Sequence, residues 1–412
     1  MHLISGTPKR AVFVRPSLGI GGAERWAVDA ALALQANGWD VEIAVNQFDP
    51  DRTFSEARDG RVKVTALGGR PAWCAGGRLR AMSALLGQWV LLRRLRRSRP
   101  GPGPDLFICD LVPHAAGWIR RWFPESAVMI YCHHPDVLTV KPRGLYGLYR
   151  AAIARQEVRG MGAAHRVLAN SRFTADAIAL AFPELDRSRL AVVYPGSNGP
   201  NVAERGSVSS PERKRVCLTV ARLDPSKNLE LAVAAFAALK SKLSAAEFAR
   251  WRWVIAGGYD RRLPEARELV GRLRAQASAS GIGQQVELRF DPSAEALESL
   301  WSEAFALVHP AKAEHFGIVL IEAMARGLPV LAVDHGGPRE IVQEGATGAL
   351  RPPETQAFAE VLAKWIEAPE AAAALGRAGQ ARAESQFSMS RFAADFTEQA
   401  ELACAAAGSG SL

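Results

Sequence analysis

The sequence predicts an α/β protein of two doubly wound, parallel-sheet domains facing each other across a cleft. Three observations carry this. Short apolar runs alternate with helix-length amphipathic stretches through most of the 412 residues. A break at 195–214, rich in Gly, Pro, Ser and charge, is followed by a restart of the same alternation. Beyond about residue 355 the strand-like runs stop and Ala-rich, helix-forming sequence takes over.

The elements follow in order. Apolar runs at 11–15, 41–45, 105–110, 127–131, 166–169 and 190–194 have the length and continuity of buried parallel strands. The runs at 215–221, 251–257, 285–290, 304–309 and 328–333 repeat the pattern after the break. Helical stretches between them give βαβ units. The break reads as an interdomain linker. The domains are therefore 1–200 and 201–388, with a final helix over 389–407 after Ser388 as its cap. Open parallel sheets bind ligands beyond the carboxyl ends of their strands, so two of them imply a shared cleft.

Composition narrows the partners. Lys plus Arg outnumber Asp plus Glu by 51 to 42. A basic chain attracts nucleic acid, an acidic lipid surface or a phosphorylated ligand. No aromatic-interleaved basic patch, zinc module or helix-turn-helix signature supports nucleic acid. The cysteines Cys74, Cys109, Cys132, Cys217 and Cys404 are odd in number and scattered, which suits a reducing compartment better than a disulfide framework. The N-terminus has no signal-peptide pattern, and no run reaches the ~18 apolar residues of a membrane span. The stretch 79–97 is apolar and then basic, ending in Arg93, Arg94, Arg96 and Arg97. Such a helix either lies in a bilayer interface or packs on the first sheet with its basic end in solvent.

Three motifs carry chemistry. Gly19-Ile20-Gly21-Gly22-Ala23-Glu24 follows the first strand and opens a helix. Glycines there admit close backbone approach, and the helix N-terminus offers N–H groups to an anion; a merely tight turn is the alternative. Glu24 occupies the third position of a dinucleotide fingerprint, where glycine is required, so a dehydrogenase is disfavoured. Arg222 and Lys227 lie in the loop after the first strand of the second half, with a helix beginning near Ser226. A forked donor beside a compact cation suits a diphosphate, although most such residues are only solvated charges. The segment Glu314-His315-Phe316-Gly317-Ile318 follows a strand ending at His309. Gly317 opens a helix that contains Glu322. Glu314 then sits in the loop and Glu322 in the early turns. N–H groups for phosphate and carboxylates for hydroxyls together fit a sugar nucleotide.

These motifs, in this order, resemble the family-four retaining glycosyltransferases of the GT-B fold, with two Rossmann-like domains. The strings SLGIGGAER, YCHHPD, LANSRFTA, VIAGGYD, EHFGIVLIEAM and GGPREIV are similar to the eukaryotic mannosyltransferases of asparagine-linked glycosylation that make the dolichol-linked trimannosyl core. The resemblance implies GDP-mannose as donor and a mannosyl-chitobiosyl-pyrophosphoryl-dolichol acceptor. It implies α1,3 and α1,6 transfers at the cytosolic face of the endoplasmic reticulum membrane, with other glycosyltransferases of that pathway as possible partners. It assigns Arg222 and Lys227 to the diphosphate, Glu322 to the ribose and Glu314 to the transferred sugar. His315, Phe316, Gly317 and Ile318 pack hexose and diphosphate. Gly21 and Gly22 approach the phosphates, and His133 faces the reacting sugar. Lys141 and Arg143, with the arginines at 93–97, are expected on the acceptor or membrane side.

The implied reaction retains configuration. Nothing in the sequence establishes the paired carboxylates of a retaining glycosidase, so front-face transfer is expected, with the leaving phosphate taking the acceptor proton. Two fixed cations and a helix end oppose the diphosphate, so no metal or other cofactor is expected. The alternatives are a family-four transferase using another nucleotide sugar, and a non-catalytic scaffold for other transferases.

Overall fold

The computed structural model describes residues 7–68, 80–98, 101–138, 144–197, 199 and 215–409. It divides into two compact units, Met1–Pro195 with Ser390–Leu412, and Gly196–Met389. Each is a parallel sheet with helices on its faces.

The first sheet has seven strands: β1 Arg10–Leu18, β2 Asp40–Phe48, β3 Lys63–Ala66, β4 Leu106–Asp110, β5 Ala127–Cys132, β6 Arg166–Ala169 and β7 Leu190–Val192. Their order is β3-β2-β1-β4-β5-β6-β7, all parallel. The central strands β4 and β5 are buried at every residue, which is why their sequence is continuously apolar rather than alternating. Strand order reverses between β1 and β4, and that switch point is where such sheets bind ligands.

The second sheet has six strands: β8 Val216–Val220, β9 Arg252–Gly257, β10 Val286–Phe290, β11 Ala304–His309, β12 Val330–Val333 and β13 Gly348–Arg351. They run parallel in the order β10-β9-β8-β11-β12-β13, so the switch point falls between β8 and β11. Trp251, Trp253, Phe236 and Phe358 fill the core under this sheet.

The final helix, Met389–Ser409, belongs to the first unit. It buries Phe392, Phe396, Ala400 and Ala403, with Phe396 stacked on Phe13 of β1 at 6.4 Å. Burying two phenylalanines is worth roughly 1.5–3 kcal/mol each, which fixes the helix on the sheet its sequence neighbours do not belong to. Glu401 pairs with Lys9 at the far end.

One feature differs from the sequence reading. The strands β3 and β13 stand at sheet edges and their four residues each carry too little apolar character to announce a strand. The helix Arg80–Ser98 packs on the first sheet. Leu85, Leu91, Leu92 and Leu95 are buried, Gln88 donates to Asn46 of β2 at 3.0 Å, and the Asn46 amide donates to the Gly87 carbonyl at 2.7 Å. Its apolar side is therefore occupied by protein, not available to a bilayer. Arg93 stacks over Trp89, Arg94 donates to the Leu67 carbonyl, and Arg96 and Arg97 are exposed. Among the described residues no helix is long and apolar enough to cross a membrane.

Candidate functional site

The carboxyl ends of β8 and β11 carry the second-unit residues singled out above. After β8 the chain turns through Arg222-Leu223-Asp224 into a single 3-10 turn, Pro225–Lys227, and the helix starts at Leu229, later than Ser226. Asp224 drives this. Its carboxylate accepts from the Ser226 N–H at 2.9 Å and from the Ser226 hydroxyl, which closes the turn. Burial would push the Asp224 carboxyl up, but those bonds and the nearby charges of Arg222 and Lys227 hold it below the usual range. Asn228 takes the left-handed conformation, φ 52°, and its amide donates to the Pro310 carbonyl at 3.0 Å. The loop after β8 is thus pinned to the loop after β11.

That pinning brings Lys227 to Glu314, with Nζ 2.7 Å from Oε2. The same oxygen lies 3.2 Å from Nε2 of His309, the last residue of β11. Burial would raise the Glu314 carboxyl. The His309 hydrogen bond and charge, with Lys227, outweigh it and hold the group far below the usual carboxylate range. Glu314 is an anion at any physiological pH. The Arg222 side chain is exposed and makes no hydrogen bond or ion pair among the described residues, which leaves its guanidinium presented to solvent at the same strand end.

Beyond Glu314 the backbone is tightly set. Gly317 caps the helix Ile318–Ala325 at φ 101°, a left-handed conformation open to glycine at little cost. A Cβ there would come within 3.0 Å of Leu320 and 3.3 Å of Glu314. Gly337 supports the loop from below: its N–H donates to the Glu314 carbonyl at 2.9 Å, and a Cβ would fall 2.3 Å from the Phe316 carbonyl oxygen. Phe316 is buried with its ring edge to Phe387, His315 and Ile318 are partly buried, and Glu322 lies in the second turn of the helix. One short loop and one helix start therefore gather a cation, an anion and a helix N-terminus, an arrangement that suits a diphosphate and its sugar.

The first unit gathers a separate group at its own switch point. Gly21 and Gly22 open the helix Gly22–Ala36 after β1. Glu24, in the first helical turn, folds back over Gly21, where a Cβ would stand 2.4 Å from its carboxylate, and its other oxygen lies 3.4 Å from Nη2 of Arg15. His133, just past β5, is a quarter exposed and bonds Asp110 at the end of β4. His134 is partly buried beside it. Lys141 and Arg143 lie outside the described residues. Among the described residues no cluster of three or more His, Cys, Asp or Glu is placed to hold a metal ion.

Two family profiles match, "Glycosyltransferase Family 4" over residues 20–198 and "Glycosyl transferases group 1" over 202–382. The alpha-1,3/1,6-mannosyltransferase ALG2 of Homo sapiens is 35% identical over 394 residues, covering 93% of this chain and 94% of the relative. The chain belongs to the alpha-1,3/1,6-mannosyltransferase family. The same enzyme of Schizosaccharomyces pombe is 31% identical, covering 95% of this chain and 81% of the relative. Among solved structures, sucrose-phosphate synthase from Thermosynechococcus elongatus superposes with TM-score 0.75 at 20% identity, covering 95% of this chain and 98% of that one. Anabaena HepE in complex with UDP and glucose gives 0.73 at 19% identity, over 95% and 98%. These two show the GT-B glycosyltransferase fold.

For a mannosyltransferase of this family, the structure adds residues that the motifs did not single out as site groups. Arg15, Asp110 and His309 each end an apolar strand run with a charged or polar side chain, and all three are buried. That position is the signal: at the carboxyl end of a buried parallel strand a polar residue faces the ligand side or holds one that does. Gly337 had no such signal, because the Glu314 carbonyl that it bonds comes from elsewhere in the fold, while Asp224 is a local turn residue bonded to Ser226.

Proposed function

We propose that this mannosyltransferase moves α-mannose from GDP-mannose to a mannosyl-chitobiosyl-pyrophosphoryl-dolichol acceptor, adding α1,3- and α1,6-linked residues at the cytosolic face of the endoplasmic reticulum membrane. The observation that carries the donor side is the Lys227–Glu314–His309 cluster at the β8/β11 switch point, directly before the Gly317 helix start. Family membership over nearly the whole chain supports the acceptor.

In this reading Arg222, Lys227 and the N–H groups after Gly317 bind the diphosphate. They stabilise the charge that grows on it as the glycosidic bond breaks. Glu314, kept ionised by His309 and Lys227, accepts hydroxyls of the mannose, and Glu322 accepts those of the ribose. His315, Phe316 and Ile318 wall the hexose and diphosphate. Within the first unit, Gly21 and Gly22 offer backbone to a phosphate and His133 offers a ring nitrogen to a sugar. The acceptor hydroxyl attacks the face from which GDP leaves. A leaving phosphate oxygen takes the hydroxyl proton, so configuration is kept with no protein nucleophile and no metal required. The exposed arginines Arg93, Arg94, Arg96 and Arg97 offer charge to an anionic membrane surface.

Linkage analysis of the product tests this. The purified enzyme, GDP-mannose and a mono-mannosylated lipid acceptor should give one 3,6-disubstituted mannose with two terminal α-mannoses. A β linkage, or substitution elsewhere, would refute the reading.

A further inference from the structure

Beneath the Gly-rich loop of the first unit, one buried cation holds two things at once. The Arg15 side chain is fully buried within β1, three residues before its end at Leu18. Its Nε–H donates to the Ser17 carbonyl at 2.8 Å and its Nη1 to the Ala23 carbonyl at 3.1 Å, on either side of Gly19–Gly22. Nη1 also lies 2.8 Å from Oδ2 of Asp110, equally buried at the end of β4. The other Asp110 oxygen, Oδ1, stands 2.9 Å from Nε2 of His133. The imidazole is wedged edge-on against Tyr131 at 5.0 Å and Trp26 at 5.7 Å, so its ring plane is set by packing as well as by the bond.

We propose that Arg15 and Asp110 are positioning residues that hold His133 in the Nε2–H tautomer, leaving Nδ1 as the acceptor for a hydroxyl of the sugar substrate. A carboxylate paired with a guanidinium only accepts, so the hydrogen between Asp110 and His133 belongs to Nε2. The neutral ring then carries its lone pair on Nδ1. Nδ1 makes no hydrogen bond among the described residues, and His133 is 26% exposed at the carboxyl end of β5, on the ligand side of the sheet. The charged groups around the ring are Asp110 directly, then Arg15, then Glu24 at 3.4 Å from Arg15. Arg15 adds a second coupling. Because the same fork grips Ser17 and Ala23, the Gly-rich loop and the imidazole are held in register by one side chain. A lysine has a single point charge and cannot make that set of bonds.

The inference rests on the proposed transferase reading only for the identity of the hydroxyl; the tautomer belongs to the unliganded chain. Its test is a long-range ¹H–¹⁵N correlation spectrum of the full chain with ring-labelled histidine at pH 8, with His133 assigned through His133→Gln. The wild type should show Nε2–H and a bare Nδ1. Asp110→Asn should lose the fixed tautomer. Should that single variant fail to fold, Arg15→Met/Asp110→Asn removes both charges together and leaves neither buried alone. Both variants should cut turnover of GDP-mannose by about 10- to 100-fold, the size typical of losing an orienting partner, with the KM for GDP-mannose changed less than about 3-fold. Arg15→Lys should keep the tautomer and lose turnover through the loop. A wild-type ring protonated on Nδ1 overturns the proposal, as does normal turnover in a folded double variant. A correct tautomer in an enzyme that ignores GDP-mannose would overturn the donor assignment and leave this one standing.

Discussion

Replacing Lys227 by alanine separates binding chemistry from folding. In the resting enzyme the Lys227 ammonium lies 2.7 Å from Glu314, with side chains 20% and 15% exposed. At an effective dielectric near 20 the bare attraction over that distance is about 6 kcal/mol, most of it offset by desolvation. Breaking a fully buried pair costs about 3–5 kcal/mol. Here solvent reaches both groups and His309 still bonds Glu314, so about 1–2 kcal/mol of stability is the expected loss. For a unit of this size that is a fall in Tm of about 2–8 °C. The transition state loses more. Removing one fixed donor from a developing anion costs roughly 3–4 kcal/mol, about 10²- to 10³-fold in kcat. The assay is steady-state transfer from GDP-mannose beside a thermal unfolding scan of the same preparation. A variant with kcat within about 3-fold of wild type would refute the leaving-group role. A collapse of Tm that accounts for all the lost activity would make Lys227 a structural residue.

Three further outcomes follow from the same geometry. The folded-state Glu314 carboxyl is depressed below its unfolded value, so its contribution to stability is complete above about pH 4.5 and is lost as pH falls further toward the folded value. Urea unfolding of wild type and Glu314→Gln at pH 6 and pH 3.5 should show their stability difference shrinking at the lower pH; a constant difference would contradict it. Gly337→Ala drives a Cβ into the Phe316 backbone and should cost about 2–3 kcal/mol in the same unfolding assay while raising the KM for donor, whereas a silent substitution would mean the 314–317 loop is not held from below. Replacing Arg93, Arg94, Arg96 and Arg97 together by alanine should weaken co-sedimentation with anionic vesicles by up to about 1 kcal/mol per charge, and added salt should erase the difference. Equal binding would remove this helix from the membrane argument.

Much of the architecture was legible because parallel strands buried on both faces leave an unbroken apolar run. Leu106–Asp110, Ala127–Cys132 and Ala304–His309 are such strands. The four-residue edge strands Lys63–Ala66 and Gly348–Arg351 lack that signature. The bilayer reading of the helix Arg80–Ser98 had a local basis, an apolar stripe with a basic end. What decides for the other reading, packing on the sheet, is tertiary: Leu91, Leu92 and Leu95 face the sheet, and Gln88 and Asn46 satisfy each other there. The site shows the same division. Arg222, Lys227, Glu314 and Glu322 stood out by residue type and spacing. That Lys227 and Glu314 meet was not visible, since they are 87 residues apart and are joined only by the adjacency of β8 and β11. Likewise Arg15 read as the end of a strand. Its hold on Asp110 depends on β1 and β4 being neighbours across the switch point.

The most direct test of the donor assignment is a panel of GDP-mannose, UDP-glucose and UDP-N-acetylglucosamine, each offered with the mono-mannosylated lipid acceptor and read by product mass. The proposed function, which rests on membership of this family, predicts two hexoses added from GDP-mannose and none from the uridine donors. Release of UDP with sugar transfer would contradict it.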